Sequence, residues 1–347
     1  MKENEHYLIM VQKKGCNLKK IPYELRTPEL CLEAAKRDGS VLGYVPKNVM
    51  SFEICLAAVE NNGESLKLVP DTIMTSRLCL MAVKNNGCAI EYVHKELITS
   101  EMCQAAIQDH GNNLQCIPHK FKTPKICLLA VQNDGQSLEF VPKKLKTEDI
   151  CLAAVKNDSE ALQYVPDEII TSEMCLIAIQ DDGFFLRFVP ARLRTQDMCV
   201  VAMNNTHWVV DCLKLTPKEI RTPEMYLKAI ESDSEAIRLV PQDILTHEMC
   251  IVAVQNDVYG LQCVPEKFKT LEICTEAIKY HGLFCSKYLP TNLKIDAYSA
   301  HYNYMEETGA TKDQLKFVRQ YIRELQGAFA KPSFMDMLFK KKKKTRK

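Results

Sequence analysis

Sixteen cysteines are the residues of this chain best equipped for chemistry. Thiols can close disulfides or hold a zinc ion, and spacing decides whether they can do either. Cys31, Cys55, Cys79, Cys103, Cys127, Cys151, Cys175, Cys199, Cys250 and Cys274 stand at one point of a 24-residue cycle. Seven successive intervals are 24 residues long, the next runs 27 to Tyr226, which takes the cysteine's place, and two more of 24 follow. Thiols one cycle apart would sit about one helix-packing distance apart, roughly 8–10 Å. A disulfide needs Cα atoms within about 7 Å. No C-x-x-C occurs, and no histidine recurs beside the thiols to complete a tetrahedral site. The spacing therefore predicts small buried hydrophobes in a reducing compartment, with no metal and no cofactor. Cys16, Cys88, Cys116, Cys212, Cys263 and Cys285 lie elsewhere in the cycle and are expected to be partly exposed.

Other reactive groups are just as dispersed. The eight histidines occupy unrelated phases, and neither G-x-S-x-G nor a Gly-rich phosphate loop is present. Acid pairs such as Asp181 and Asp182 belong to a recurring series with Asn61 and Asn62, Asn85 and Asn86, Asn133 and Asp134, Asn157 and Asp158, and Asn256 and Asp257. That series reads as turn chemistry, or less simply as a polar ridge for a ligand. Repetition spreads residues evenly instead of converging them on a cleft, so no enzyme is expected.

The elements that place these residues announce themselves. Thr27, Thr75, Thr99, Thr123, Thr147, Thr171, Thr195, Thr222, Thr246 and Thr270 stand as helix N-caps, with Pro28, Pro124 and Pro223 at the first helical position. Gly39, Gly63, Gly87, Gly111, Gly135, Gly183 and Gly282 follow about ten residues later, where a left-handed residue can end a helix. Apolar residues between them keep helical spacing, as in Ile150, Cys151, Ala154 and Val155. A shorter element then runs to a proline such as Pro166, with room for one or two turns of α or 3-10 helix. Tyr7, Gly15 and Pro22 keep the same phase, which gives twelve units. The predicted fold is all-α: an α-solenoid, or superhelix, of about twelve 24-residue repeats over 3–290, each a long helix plus a short one.

The repeated string T-x-E-x-C-L-x-A-V-x-N-D-G-x-x-L-x-x-V-P resembles the tandem repeat known as domain of unknown function 4116, found in several copies in proteins of intracellular bacteria and large viruses. The resemblance implies a helical repeat fold and, for such sources, a location inside a host cell. It brings no catalytic residues. The unit from Cys199 to Thr222 departs from the pattern, with its Gly and Val-Pro lost and three residues gained.

Beyond the repeats, 291–330 reads as C-terminal capping helices. Asp296 is placed to start the first, with Tyr298, Tyr302 and Met305 on one side and Gly309 at its end. Thr311 and Gln314 form a capping box for the second, whose apolar stripe is Leu315, Val318, Ile322 and Leu325. Residues 331–347 read as a basic disordered tail. No apolar run approaches the ~20 residues needed to cross a bilayer, and the start has no signal-peptide pattern, so a cytoplasmic or nuclear protein is expected.

The expected function is that of a scaffold binding a protein partner along the solenoid. The position nine residues after the anchor is Ser40, Gln136 or Glu160 in early repeats but Phe184, Trp208 and Tyr259 later, with Phe185 beside the first. Aromatics on a polar surface make interface anchors, so these four are the candidate partner site. The alternative is a nucleic-acid adapter. Lys120, Lys122, Lys143, Lys144, Lys146, Arg192, Arg194, Lys218, Arg221, Lys267 and Lys269 all fall in the linkers, and stacking would align them into a basic edge. The tail adds Lys340, Lys341, Lys342, Lys343, Lys344, Arg346 and Lys347, which could serve nuclear import or weak contact with an anionic membrane surface.

Overall fold

The structure is a computed structural model that describes residues 2–330. The chain is an all-α repeat solenoid, and no strand occurs among the described residues. It divides into two compact units, Met1–Leu193 and Arg194–Lys347.

One repeat of the first unit shows how sequence makes the element. Thr147 is extended, and its hydroxyl accepts the Ile150 N–H, which starts the helix Glu148–Asn157. Glu148 and Asp149 sit in the first turn, against the positive end of the helix. Ile150, Cys151, Ala154 and Val155 make one face and are all buried. The short element Ser159–Tyr164 is a 3-10 helix, closed by Val165 ahead of Pro166. Ser51 serves as the cap where the threonine is missing.

Gly282, at φ +57, ends its helix as expected, but the glycines of the first unit work differently from the sequence expectation. Helix Pro124–Asn133 ends not on a left-handed glycine but on Asp134 in extended conformation, whose side chain accepts the Gln136 N–H and so caps the following 3-10 helix. Among the described residues, positive φ occurs only at Gly282 and Gly309. Gly135 instead marks a close approach: a Cβ there would lie 2.5 Å from the Ala154 carbonyl oxygen of the next repeat and 2.7 Å from Asp158 Cβ. The short helix of one repeat thus nests on the last turn of the next repeat's long helix, and the buried alanine of that helix is small for the same reason.

The paired Asn and Asp residues divide two tasks. The second of each pair caps its own short helix, as Asp134 does. The first reaches back one repeat: Asn61 Oδ1 accepts Gly39 N–H at 2.9 Å while Nδ2 donates to the Lys36 carbonyl at 3.1 Å. Asn85 repeats this on Gly63 and Glu60. Asp109 supplies the acceptor half to Gly87.

In the second unit, the irregular repeat has a long helix Gln196–Asn204 one residue shorter than usual. A longer connection, 205–208, and an α-helical short element, Val209–Leu215, absorb the three extra residues. With no aspartate holding a tight turn, Asn205 leaves the helix near φ −108, ψ 24 instead of extended. Gly260–Cys263 is also α-helical, while most short elements are 3-10.

Helix Lys294–Glu307 packs on the last repeat helix, Leu271–His281, and helix Lys312–Ala330 packs on Lys294–Glu307. The first begins two residues before Asp296, with Leu293 at the cap position making no side-chain bond, so Asp296 is a first-turn charge and not the cap. Gly309, at φ +83, ends it as expected. Thr311 N–H donates to Gln314 Oε1 and Gln314 N–H to Thr311 Oγ1, which is the predicted capping box. No helix among the described residues is long and apolar enough to cross a membrane.

Candidate interaction surface

The ten anchor cysteines are fully buried, and burial pushes the thiols of Cys31, Cys55, Cys79, Cys103, Cys151, Cys175, Cys250 and Cys274 up to about 11. Such thiols are poor nucleophiles. Of the six others, Cys88 is exposed and Cys16 and Cys116 half-buried, but Cys212, Cys263 and Cys285 are buried, against expectation. Cys212 and Cys285 stand five residues before the proline of their unit, the position that Ser137 and Ala161 also bury, and Cys263 lies in the α-helical short element Gly260–Cys263. Among the described residues no group of three or more His, Cys, Asp or Glu could hold a metal ion.

In the first unit each short helix stacks on its neighbours in the row. A 3-10 helix has three residues per turn, so positions three apart eclipse and each short helix presents three rows. In Gly135–Phe140, Leu138 and the following Val141 face the core. Gln136 and Glu139 face outward. Ser137 and Phe140 lie between, the serine buried and the phenylalanine half-buried. Repeated down the stack, the last position of the short helix gives a column on this shoulder: Tyr44, Leu68, Tyr92, Cys116, Phe140, Tyr164 and Phe188. Tyr44 and Leu68 are exposed and the rest half-buried. The sequence carries this signal as the residue two positions before the unit's proline, or before His94 in one repeat, and its regularity makes it inconspicuous.

Beside the column the outward row is acidic. Glu91, Glu139 and Glu160 are exposed. The four short helices Gly87–Tyr92, Gly111–Cys116, Gly135–Phe140 and Ser159–Tyr164 contain no lysine or arginine. Gln136 Nε2 donates to Asp158 Oδ2 at 2.8 Å and to Glu160 Oε2 at 3.3 Å, which ties two repeats together. Burial first, then the charge and hydrogen bond of Glu139, then Glu160 and Asp158, hold the Tyr164 phenol above its ordinary value. Three carboxylates therefore act on one aromatic of the column.

The residues singled out as a partner site divide between the two units. Phe184 and Phe185 lie in the first unit, half-buried; the Arg187 guanidinium sits 3.9 Å from the Phe184 ring centroid and 4.4 Å from that of Phe188, on which Phe185 stacks. Trp208 and Tyr259 lie in the second unit. Trp208 is 59% exposed at the start of Val209–Leu215, and Tyr259 packs against Tyr288 with centroids 6.0 Å apart. The cations Lys340, Lys341, Lys342, Lys343, Lys344, Arg346 and Lys347 lie outside the described residues.

Much of the expected basic edge is turned inward. Lys122 Nζ donates to the Phe140 carbonyl at 3.0 Å and Lys146 Nζ to that of Tyr164 at 2.8 Å. Arg194 reaches the Leu215 carbonyl, and Arg221 those of Thr216 and Lys214. Each closes the C-terminal end of a short helix, whose carbonyls are otherwise unsatisfied. Burial lowers the pKa of both lysines accordingly. Lys269 pairs with Glu266 at 2.6 Å, and Lys143 with Glu168 at 3.4 Å.

The family model described as a domain of unknown function (DUF4116) matches this chain at residues 7–50, 51–98, 99–146, 123–170 and 147–194. Most of these matches span two 24-residue repeats, and together they end one residue past Leu193, the last residue of the first compact unit. No curated protein matches the chain.

Proposed function

The chain belongs to the family of this domain of unknown function, DUF4116, and from that premise we propose that it is a scaffold that binds a protein partner along its short-helix row. The observation that carries this reading is the column from Tyr44 to Phe188. Seven successive repeats place a residue at the same half-open position, and five of the seven are aromatic. A side chain needed only for the core would be covered, and one needed only for solubility would be polar. Aromatic residues left partly open in a line are what an extended partner can use as anchors. Trp208, and Tyr259 with Tyr288, offer further anchors in the second unit.

The nucleic-acid reading has less support. Phosphate neutralisation needs free cations, and Lys122, Lys146, Arg194 and Arg221 are engaged with backbone carbonyls. The run Lys340–Lys347 remains, in this proposal, a signal for import or for an anionic lipid surface. No reaction is assigned to the chain.

The test is recovery of partners from the native cell with the intact chain and with the double variant Phe140→Ala, Tyr164→Ala. Loss of specific partners at unchanged melting temperature supports the reading. An identical set of recovered proteins removes the column from it.

A further inference from the structure

The stretch of the column between Tyr92 and Tyr164 differs from the rest in charge. Lys67 and Arg187 occupy the outward row in the flanking repeats, but from Gly87 to Tyr164 that row carries Glu91, Glu139 and Glu160, with Gln115, Gln136 and Gln163 between them. Two linker cations are engaged elsewhere: Lys122 and Lys146 donate to the Phe140 and Tyr164 carbonyls. Carboxylates beside half-open aromatic faces form a surface that attracts cations twice over, by charge and by the ring quadrupole.

Spacing selects the shape of the occupant. Repeats stacked about 10 Å apart along the row match three residues of a chain advancing about 3.3 Å per residue. A polyproline II segment fits best, since its three residues per turn and ~3.1 Å rise return the same side to the surface at each repeat. A helix, rising ~1.5 Å per residue, would need six to seven residues per repeat and would not stay in phase.

We propose that the row from Gly87 to Tyr164 binds an extended, basic segment of a partner protein, about twelve residues long, with an apolar side chain seated against the column at every third position and lysine or arginine side chains reaching Glu91, Glu139 and Glu160. This rests on the scaffold reading and specifies its ligand. The column supplies contact area. The acidic row selects the sign of the partner, and phosphate backbones meet the same charge that rejects acidic peptides.

Fluorescence anisotropy with the full chain tests it. The probes are labelled peptides of four Lys-Pro-Leu, Gln-Pro-Leu or Glu-Pro-Leu triplets, and a single-stranded DNA of similar length. At low salt the basic peptide should bind about tenfold more tightly than the neutral one, a difference of about 1.4 kcal/mol, because its cations meet the exposed carboxylates of the row. The acidic peptide and the DNA should bind least. Glu139→Gln with Glu160→Gln, exposed changes that leave the core intact, should remove the advantage of the basic peptide without weakening the neutral one. Phe140→Ala with Tyr164→Ala should weaken both. Equal binding of basic and neutral peptides, with loss on the aromatic changes, overturns the charge inference and leaves the scaffold reading standing. No binding by any peptide overturns both, and tighter binding of the DNA replaces them with the nucleic-acid reading.

Discussion

Asn157 of one repeat holds Gly135 of the repeat before it. The Gly135 N–H donates to Asn157 Oδ1 at 2.6 Å, and Asn157 Nδ2 donates to the Gln132 carbonyl at 3.0 Å. One carboxamide thus satisfies a donor and an acceptor where a helix ends and a 3-10 helix begins. Asn157→Ala leaves both groups without a partner and should destabilise by about 1–3 kcal/mol. Asn157→Asp keeps the acceptor, as Asp109 does for Gly87, and should cost less. Chemical denaturation of the two variants, ranked Ala below Asp, checks the order.

Gly135→Ala should cost about 1–3 kcal/mol through overpacking, because the added methyl meets the Ala154 carbonyl. A Cβ on Gly43 meets nothing within 4 Å, and Gly43→Ala should be neutral or stabilising by up to about 1 kcal/mol. Thermal unfolding of the pair separates close approach from backbone freedom, since reduced freedom of the unfolded chain alone would stabilise both alike.

Native alkylation at pH 8 should label Cys88 quickly and spare the ten anchors, whose thiols are buried and held protonated. Cys151→Ser puts a hydroxyl into that packed site and should destabilise by about 1–3 kcal/mol. Early modification of Cys151 in the folded chain, read by peptide mass, would contradict this.

His301 is half-buried; desolvation, then the charge of Lys279, lowers its pKa from 6.5. The folded state therefore favours the neutral ring. Its contribution to stability is full above the unfolded value and is lost as pH falls through the lowered folded one. Unfolding of the second unit should shift to lower temperature on acidification below about pH 6.5, and His301→Gln should flatten that dependence.

Periodic features were readable without coordinates. The Thr caps, the Cys face, the Thr311 and Gln314 box and the Gly309 stop depend on neighbours in the chain, so local pattern reports them. What pattern misjudged were residues whose partners lie one repeat away. Gly135 looks like a left-handed stop because its obstacle, the Ala154 carbonyl, is remote in sequence. Lys146 looks like a free cation because the carbonyl it closes is 18 residues downstream. Asp296 sits where a cap belongs, yet the helix starts earlier on Leu293. The acidic row was hidden for a similar reason, since Glu91, Glu139 and Glu160 become neighbours only once the short helices are stacked.

The bonds made by Asn61, Asn85, Asp109 and Asn157 all run backward, from a later repeat to an earlier one. That gives the stack a direction in time as well as in space. A chain emerging N-terminus first leaves each turn incomplete until the following 24 residues have appeared, so consolidation trails synthesis by one repeat. Shortening is also unequal from the two ends: trimming repeats from the front takes nothing these bonds supply, whereas trimming from the back strips its neighbour of the side chain that closes its turn.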